Sequence, residues 1–76
     1  QNVNLADLAR FPDVKVFDRE RMAALGLIDL GGGPVKVLAR GKLERAVTVR
    51  AEGFSEAARV AIEAVGGSTE TPEGDA

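Results

Sequence analysis

The chain of 76 residues is long enough for one small domain, which buries only about 60% of the surface that its unfolded chain exposes. Its 45% apolar and 29% charged residues are typical of a globular protein and exclude a wholly disordered one. The absence of Cys and His excludes disulfides, the usual zinc sites and His-assisted nucleophiles. The net charge of −2 argues against nucleic-acid binding through the overall charge of the chain. We therefore expect no enzyme activity, no cofactor and no small-molecule substrate.

Membrane insertion and secretion are not indicated either. The apolar runs are only a few residues long, whereas about 20 are needed to cross a bilayer. No basic region followed by an apolar stretch begins the sequence, so we expect no secretory signal. The sequence begins with Gln1 and not with an initiator Met, so Gln1 is consistent with an internal position of a longer chain.

The chain opens with short elements. The segment from Asn2 begins extended and passes into one helical turn, with Asn4 as the N-cap and Leu5 and Leu8 on the same side. Residues 14–16 alternate between apolar and polar, which predicts a very short strand.

A capped helix follows. Asp18 is a good N-cap, and Phe17 before it and Met22 four positions after it are placed to form a hydrophobic staple. The pattern predicts a helix from about residue 19 to residue 25, closed by Gly26.

Three consecutive glycines, residues 31–33, predict a flexible connector. A phosphate-binding loop would need a glycine followed by Lys and then Ser or Thr, leading into a helix. Here Lys42 is followed by Leu43, and the triple glycine precedes a strand. We therefore do not predict a nucleotide site.

Two strand patterns occupy the middle of the chain, residues 35–39 and 46–51. Their predicted inward positions are Val35, Val37, Ala39, Val47, Val49 and Ala51. The polar turn at 41–45 has a length that suits an antiparallel hairpin, because parallel neighbours need a crossover of about a dozen residues or more.

A last helix begins after Ser55 and ends at the Gly66-Gly67 pair. Its apolar positions at helical spacing are Ala58, Ala61, Ile62 and Val65. The opposite side carries charges that predict ion pairs, namely Glu56, Arg59 and Glu63. Residues 68–69 are predicted to add an edge strand.

The sequence predicts a single globular domain of residues 1–69 and a tail of residues 70–76. That tail carries three acids and no base, and includes Pro72 and Gly74, which predicts disorder.

Positive charge is concentrated between Lys36 and Arg50, where five bases accompany a single acid, Glu44. Basic side chains neutralise phosphates, and the arginine fork can bind two phosphate oxygens at once. The RNA-binding candidates are Lys36, Arg40, Lys42, Arg45 and Arg50. The window contains no aromatic residue, so contact would be directed by shape and not by base stacking. A solvated charged face is the competing interpretation.

Residues 35–67 read VKVLARGKLERAVTVRAEGFSEAARVAIEAVGG, a combination that resembles the C-terminal half of the bacterial large-subunit ribosomal protein fifteen family. The resemblance begins at residues 3–5 and continues through residues 25–28. It implies an α/β fold, an irregular strand-strand-helix superhelix with a small, mostly parallel or mixed sheet covered by two helices. This implication favours parallel strands over the hairpin.

The resemblance also implies a structural component of the large ribosomal subunit that supports subunit assembly. It would bind large-subunit ribosomal RNA and neighbouring ribosomal proteins, in cytoplasmic ribosomes, with an organellar ribosome left open. The family's basic N-terminal extension is missing from this sequence, which removes most of the family's positive charge. We expect a monomer outside the ribosome. The alternative is a protein-protein interaction module that uses the Ala-rich helix or a sheet edge without RNA; a hydrolase or nucleotide-binding domain is a more distant third.

Overall fold

The computed structural model describes residues 1–71. Within them the chain forms six short strands and three helices, which confirms the α/β class. In chain order the elements are β1 (Asn2–Asn4), α1 (Leu5–Ala9), β2 (Val16–Phe17), α2 (Arg19–Ala24), β3 (Lys36–Leu38), β4 (Thr48–Arg50), β5 (Gly53–Phe54), α3 (Glu56–Ala64) and β6 (Ser68–Glu70). No helix in this part of the chain is long and apolar enough to cross a membrane.

The strands alternate between two parallel sheets. The first sheet has the order β1-β3-β5 and the second the order β2-β4-β6. Val3 lies opposite Val37 in the first sheet, and Phe17 lies opposite Val49 in the second. Each coil of the superhelix therefore supplies one strand to each sheet, and the expected parallel superhelix is confirmed.

Three coils can be distinguished. The first runs β1-α1-β2, the second runs β3 to β4 without a helix, and the third runs β5-α3-β6. Helix α2 joins the first coil to the second. The described residues thus form two small sheets and three helices, where the resemblance implies one sheet and two helices.

The hairpin predicted from spacing is wrong. β3 and β4 belong to different sheets, and each bonds to a strand of the preceding coil. The N–H of Lys36 donates to the carbonyl of Gln1 at 2.7 Å, and that of Thr48 donates to the carbonyl of Lys15 at 2.8 Å. The intervening residues cross from one sheet to the other, so a short link does not imply that its flanking strands pair.

Local side-chain hydrogen bonds fix the helix starts. The carboxylate of Asp18 accepts from the Arg21 N–H at 2.7 Å, and the hydroxyl of Ser55 accepts from the Ala58 N–H at 3.1 Å, which confirms both predicted caps. At α1 the N–H of Asn4 donates to Asp7 at 2.9 Å, but Oδ1 of Asn4 is buried without a partner. Asn4 is thus the N-cap by position, while its side chain does not complete the expected bond.

One apolar core holds both sheets together. Its largest side chains with less than 2% exposure are Phe17, Leu5, Leu8, Met22, Ile62, Val3, Val35, Val37 and Val49. All predicted inward positions are buried except Ala39, which is exposed because β3 ends at Leu38 and the chain leaves the sheet there. Both residues of the predicted staple, Phe17 and Met22, are fully buried.

Two predictions near strand ends need correction. The strand predicted over 14–16 is β2, Val16–Phe17, because burial of the large Phe17 ring sets which residues join the sheet. The predicted last strand is confirmed but extends to Glu70, the first residue of the predicted tail. The prediction of a disordered tail otherwise falls largely on residues 72–76, which lie outside the described part of the chain.

The ion pairs predicted along α3 do not form among the described residues, where the only two ion pairs are Arg19–Glu52 and Arg50–Glu70. An exposed helical pair gains only a few tenths of a kcal/mol, so hydration of the separate charges competes with it effectively.

The glycine connector has long-range hydrogen bonds at its two ends, which the prediction of a flexible break did not anticipate. Nη2 of Arg19 donates to the carbonyls of Leu30 at 2.9 Å and Gly33 at 2.8 Å. The side chain of Gln1 donates to the carbonyl of Asp29 at 2.9 Å and accepts from its N–H at 2.7 Å. These partners are distant in sequence, which is why composition alone indicated flexibility.

Candidate nucleic-acid interface

The second coil carries a polar connection where the other two coils carry helices. We call residues 39–47, between β3 and β4, the basic loop. In the first coil α1 makes the corresponding connection, and in the third coil α3 does. The basic loop is bonded to both neighbouring coils: the N–H of Ala6 in α1 donates to the carbonyl of Arg40 at 2.9 Å, and the N–H of Ser68 in β6 donates to the carbonyl of Val47 at 3.0 Å.

Three further features fix the course of the basic loop. Gly41 has a φ of 84°, and a side chain there would overlap Ala6, so glycine allows the loop to lie directly on α1. Leu43 is only 6% exposed and anchors the loop in the core. Arg45 then donates from Nη1 to the carbonyl of Val14 at 2.6 Å and from Nη2 to the carbonyl of Phe11.

Arg40 and Lys42 extend from this fixed backbone into solvent. Both residues are exposed, and neither forms an ion pair with a carboxylate within residues 1–71. Lys42 also lines a shallow groove between the basic loop and the end of α1, where Ala9, Pro12, Leu43, Glu44 and Arg45 are its neighbours. Glu44 is the acid of this loop and reduces its charge without pairing with it.

Lys36 and Arg50 lie outside the basic loop. Lys36 is exposed at the start of β3, beside Gly53 of β5, and the other two residues of that strand lie between it and the loop. Arg50 ends β4 in the second sheet, where its Nε is 3.2 Å from a carboxylate oxygen of Glu70.

The surroundings of Arg50 disfavour an anion. Its neighbours around a cleft at the ends of β2 and β4 are Asp18, Arg19, Glu20 and Glu52. Three acids and two bases therefore share this cleft, and its local charge repels phosphate. The structure thus places Arg40, Lys42 and Arg45 together, and separates Lys36 and Arg50 from them.

Arg10 is a cation that the sequence analysis missed. It is exposed at the end of α1, and its guanidinium carbon lies 5.5 Å from the centre of the Phe11 ring. Because Arg45 holds the carbonyl of Phe11, Arg10 is next in sequence to the turn that anchors the basic loop. No local pattern indicates this proximity, since about 30 residues separate Arg10 from the loop.

The described residues offer no assembled centre for metal chemistry. Within residues 1–71 no group of three or more carboxylates is positioned to hold a metal ion. What the described residues do present is a set of exposed guanidinium and ammonium groups on a fixed backbone, and such groups attract anions.

Fold and site together define a small α/β superhelical domain that presents a fixed basic loop. A family model described as ribosomal proteins 50S-L15, 50S-L18e and 60S-L27A matches residues 2–70. The chain belongs to this family.

Similar proteins extend the comparison. The chain is 47% identical over 68 residues to large ribosomal subunit protein uL15 from two strains of Lactobacillus delbrueckii subsp. bulgaricus. The aligned residues cover 90% of this chain and 47% of each relative, so the chain spans about half the length of these curated relatives.

Proposed function

We propose that this chain is a non-catalytic structural domain of the large ribosomal subunit, where it binds large-subunit ribosomal RNA and supports subunit assembly. Family membership and the names of the relatives support this assignment. Neighbouring ribosomal proteins are further proposed partners, the ribosome in the cytoplasm is the proposed location, and the domain is proposed to be monomeric outside the ribosome.

The observation that carries the proposal is the pair Arg40 and Lys42 on the basic loop. Their charges are exposed and unpaired with carboxylates within residues 1–71, and the backbone beneath them is anchored. Cations held in this way release counterions from a phosphate backbone on contact. Such contact reads the shape of the RNA backbone and not the base sequence.

The five basic residues of the window do not contribute equally to the proposed interface. We assign direct phosphate contact first to Arg40 and Lys42, with Arg10 beside them. Lys36 is a peripheral contact, because β3 separates it from the loop. Arg50 is the weakest candidate because it shares its cleft with three acids. Arg45 contributes its positive charge to the proposed interface, but its two terminal nitrogens already donate to backbone carbonyls.

The proposal predicts a salt-dependent affinity for RNA. Binding of the 76-residue chain to large-subunit ribosomal RNA is measured over a range of salt concentrations. Replacing Arg40 and Lys42 together by Gln should reduce the slope of log affinity against log salt by about 1.4 to 1.8, since each phosphate contact contributes about 0.7 to 0.9.

The matched control is Arg21→Gln. Arg21 is exposed on α2, which is not part of the basic loop, so its loss changes net charge without removing a residue of the proposed interface. If the slope of the double variant equals that of the wild-type chain, the basic loop does not contact RNA phosphates. If the double variant lowers the slope by twice as much as Arg21→Gln does, the slope responds only to net charge.

A protein-interaction module is the second candidate function. Val60 lies on the outer side of α3 and is 54% exposed, so this helix has an apolar group available to a protein partner. Under this alternative, RNA would not be retained, and association with neighbouring ribosomal proteins would survive high salt.

A further inference from the structure

Arg45 holds a tight turn at both of its ends. The turn, residues 11–14, is closed by a hydrogen bond from the Val14 N–H to the Phe11 carbonyl at 3.1 Å, with Pro12 in its second position. Nη1 of Arg45 donates to the carbonyl of Val14 at 2.6 Å, and Nη2 donates to that of Phe11. The two arms of one guanidinium therefore reach the first and the last carbonyl of the same turn.

Arg40 is the informative comparison within the same loop. Its side chain is exposed and makes no hydrogen bond or ion pair within residues 1–71, although its backbone carbonyl is bonded to α1. Arg45, in contrast, is half-buried and directs its two terminal nitrogens into the protein. Two arginines five positions apart thus carry the same charge, but only Arg40 has its whole side chain available to a ligand.

We infer that Arg45 is a positioning residue of the proposed RNA interface, which fixes the basic loop against the 11–14 turn so that Arg40 and Lys42 are ordered before RNA arrives. The inference rests on the proposed function. A loop that is already ordered does not lose backbone freedom on binding, which is the general reason why preorganised sites bind more tightly.

The test is Arg45→Lys, which keeps the charge and removes the fork. An ammonium group is a point donor and does not reproduce the planar pair of N–H groups that reaches two carbonyls. We expect a lower thermal midpoint and faster hydrogen exchange at the Ala6 amide, whose acceptor is the Arg40 carbonyl. If one loop residue must then be ordered on binding, RNA affinity falls about tenfold.

The salt series separates positioning from direct contact. Loss of preorganisation lowers affinity at every salt concentration and leaves the slope unchanged, because the number of phosphate contacts is the same. Arg45→Gln provides the second variant. If it lowers the slope by about 0.7 to 0.9 and leaves the thermal midpoint unchanged, Arg45 is a direct phosphate contact and the inference is overturned.

Arg21→Lys is the control for the chemical change from guanidinium to ammonium, and should match the wild-type chain in thermal midpoint and RNA affinity. An Arg45→Lys chain that also matches the wild type in both would overturn the inference. Every chain is measured below its own thermal midpoint with large-subunit ribosomal RNA as the ligand. If the wild-type chain binds no RNA, the proposed function fails, whereas the midpoint and the Ala6 exchange rate still decide whether Arg45 anchors the loop.

Discussion

Gly67 lies where the fold has no room for a side chain. A Cβ atom there would overlap the carbonyl oxygen of Val47 and lie 2.9 Å from Cγ2 of Ile62. We expect Gly67→Ala to lower the free energy of unfolding by about 1–3 kcal/mol, because a packed site must shift to admit an extra methyl group. Urea denaturation measures the change.

Gly31→Ala is the control for the glycine-to-alanine change itself. A Cβ at Gly31 meets nothing within 4 Å. Alanine there restricts the unfolded chain without a clash, so it should leave stability unchanged or raise it by about 0.4–1 kcal/mol. If both variants lose the same stability, the cause is not the close approach of Gly67 to its neighbours.

The basic residues show how far a sequence can assign roles to single side chains. Composition indicated a single basic cluster in the middle of the chain and treated Arg40, Arg45 and Arg50 as equivalent. The structure gives them different surroundings: solvent for Arg40, two carbonyls for Arg45 and a carboxylate for Arg50. The partners of Arg45 and Arg50 are between 20 and 34 residues away in sequence, so no local sequence pattern could have predicted them.

At the scale of elements, the helix caps could be predicted because both partners lie within three residues. Ser55 illustrates this, since its hydroxyl accepts from the Ala58 N–H at the start of α3. We expect Ser55→Ala to lower the free energy of unfolding by about 1 kcal/mol through loss of this cap. The measurement is chemical denaturation monitored by circular dichroism.

Ser55→Asp tests whether capping is the reason. Asp is as good an N-cap as Ser, so this variant should retain most of the wild-type stability. If the Asp variant loses as much stability as the Ala variant, the hydroxyl stabilises the protein by something other than capping.

Strand pairing could not be predicted in the same way. Alternation correctly located β3 and β4, since Val37, Val47 and Val49 are buried as expected. Alternation sets which face of a strand is buried, but it does not identify the neighbouring strand. Here β3 pairs with a strand more than 30 residues earlier, and the nearest strand along the chain belongs to the other sheet.

The whole molecule depends on one core shared by two sheets. Val37 and Val49 are the middle residues of the two central strands, and both are fully buried in the same cluster. We expect Val37→Ala and Val49→Ala each to lower the free energy of unfolding by about 2 kcal/mol. Each substitution should lower the stability of both sheets together. Amide signals from the two sheets, monitored during denaturation, should then show a single transition.

Val60→Ala is the exposed control. This valine is 54% exposed, so its truncation should change stability by less than about 0.5 kcal/mol. Two separate transitions, or a loss confined to the sheet that carries the substitution, would show that the sheets have independent cores.

Charge is also organised at the scale of the molecule. The net charge of −2 obscures a division between the exposed cations of the basic loop and the acid-rich cleft around Arg50. The two regions lie at opposite ends of β4, because the basic loop leads into this strand and Arg50 ends it. A proposed RNA contact is therefore assigned to one side of the domain.

The sequence by itself determined the α/β class, the caps at Asp18 and Ser55, and the buried faces of the central strands. The residues from Val35 to Gly67 also indicated the family. These properties are local, since each depends on residue types and on partners a few positions apart. Only the tertiary structure decided the alternation of strands between two sheets, the hydrogen bonds at the ends of the glycine connector and the different surroundings of the arginines. Each of these depends on hydrogen bonds between groups distant in sequence, which become neighbours only when the coils of the superhelix stack.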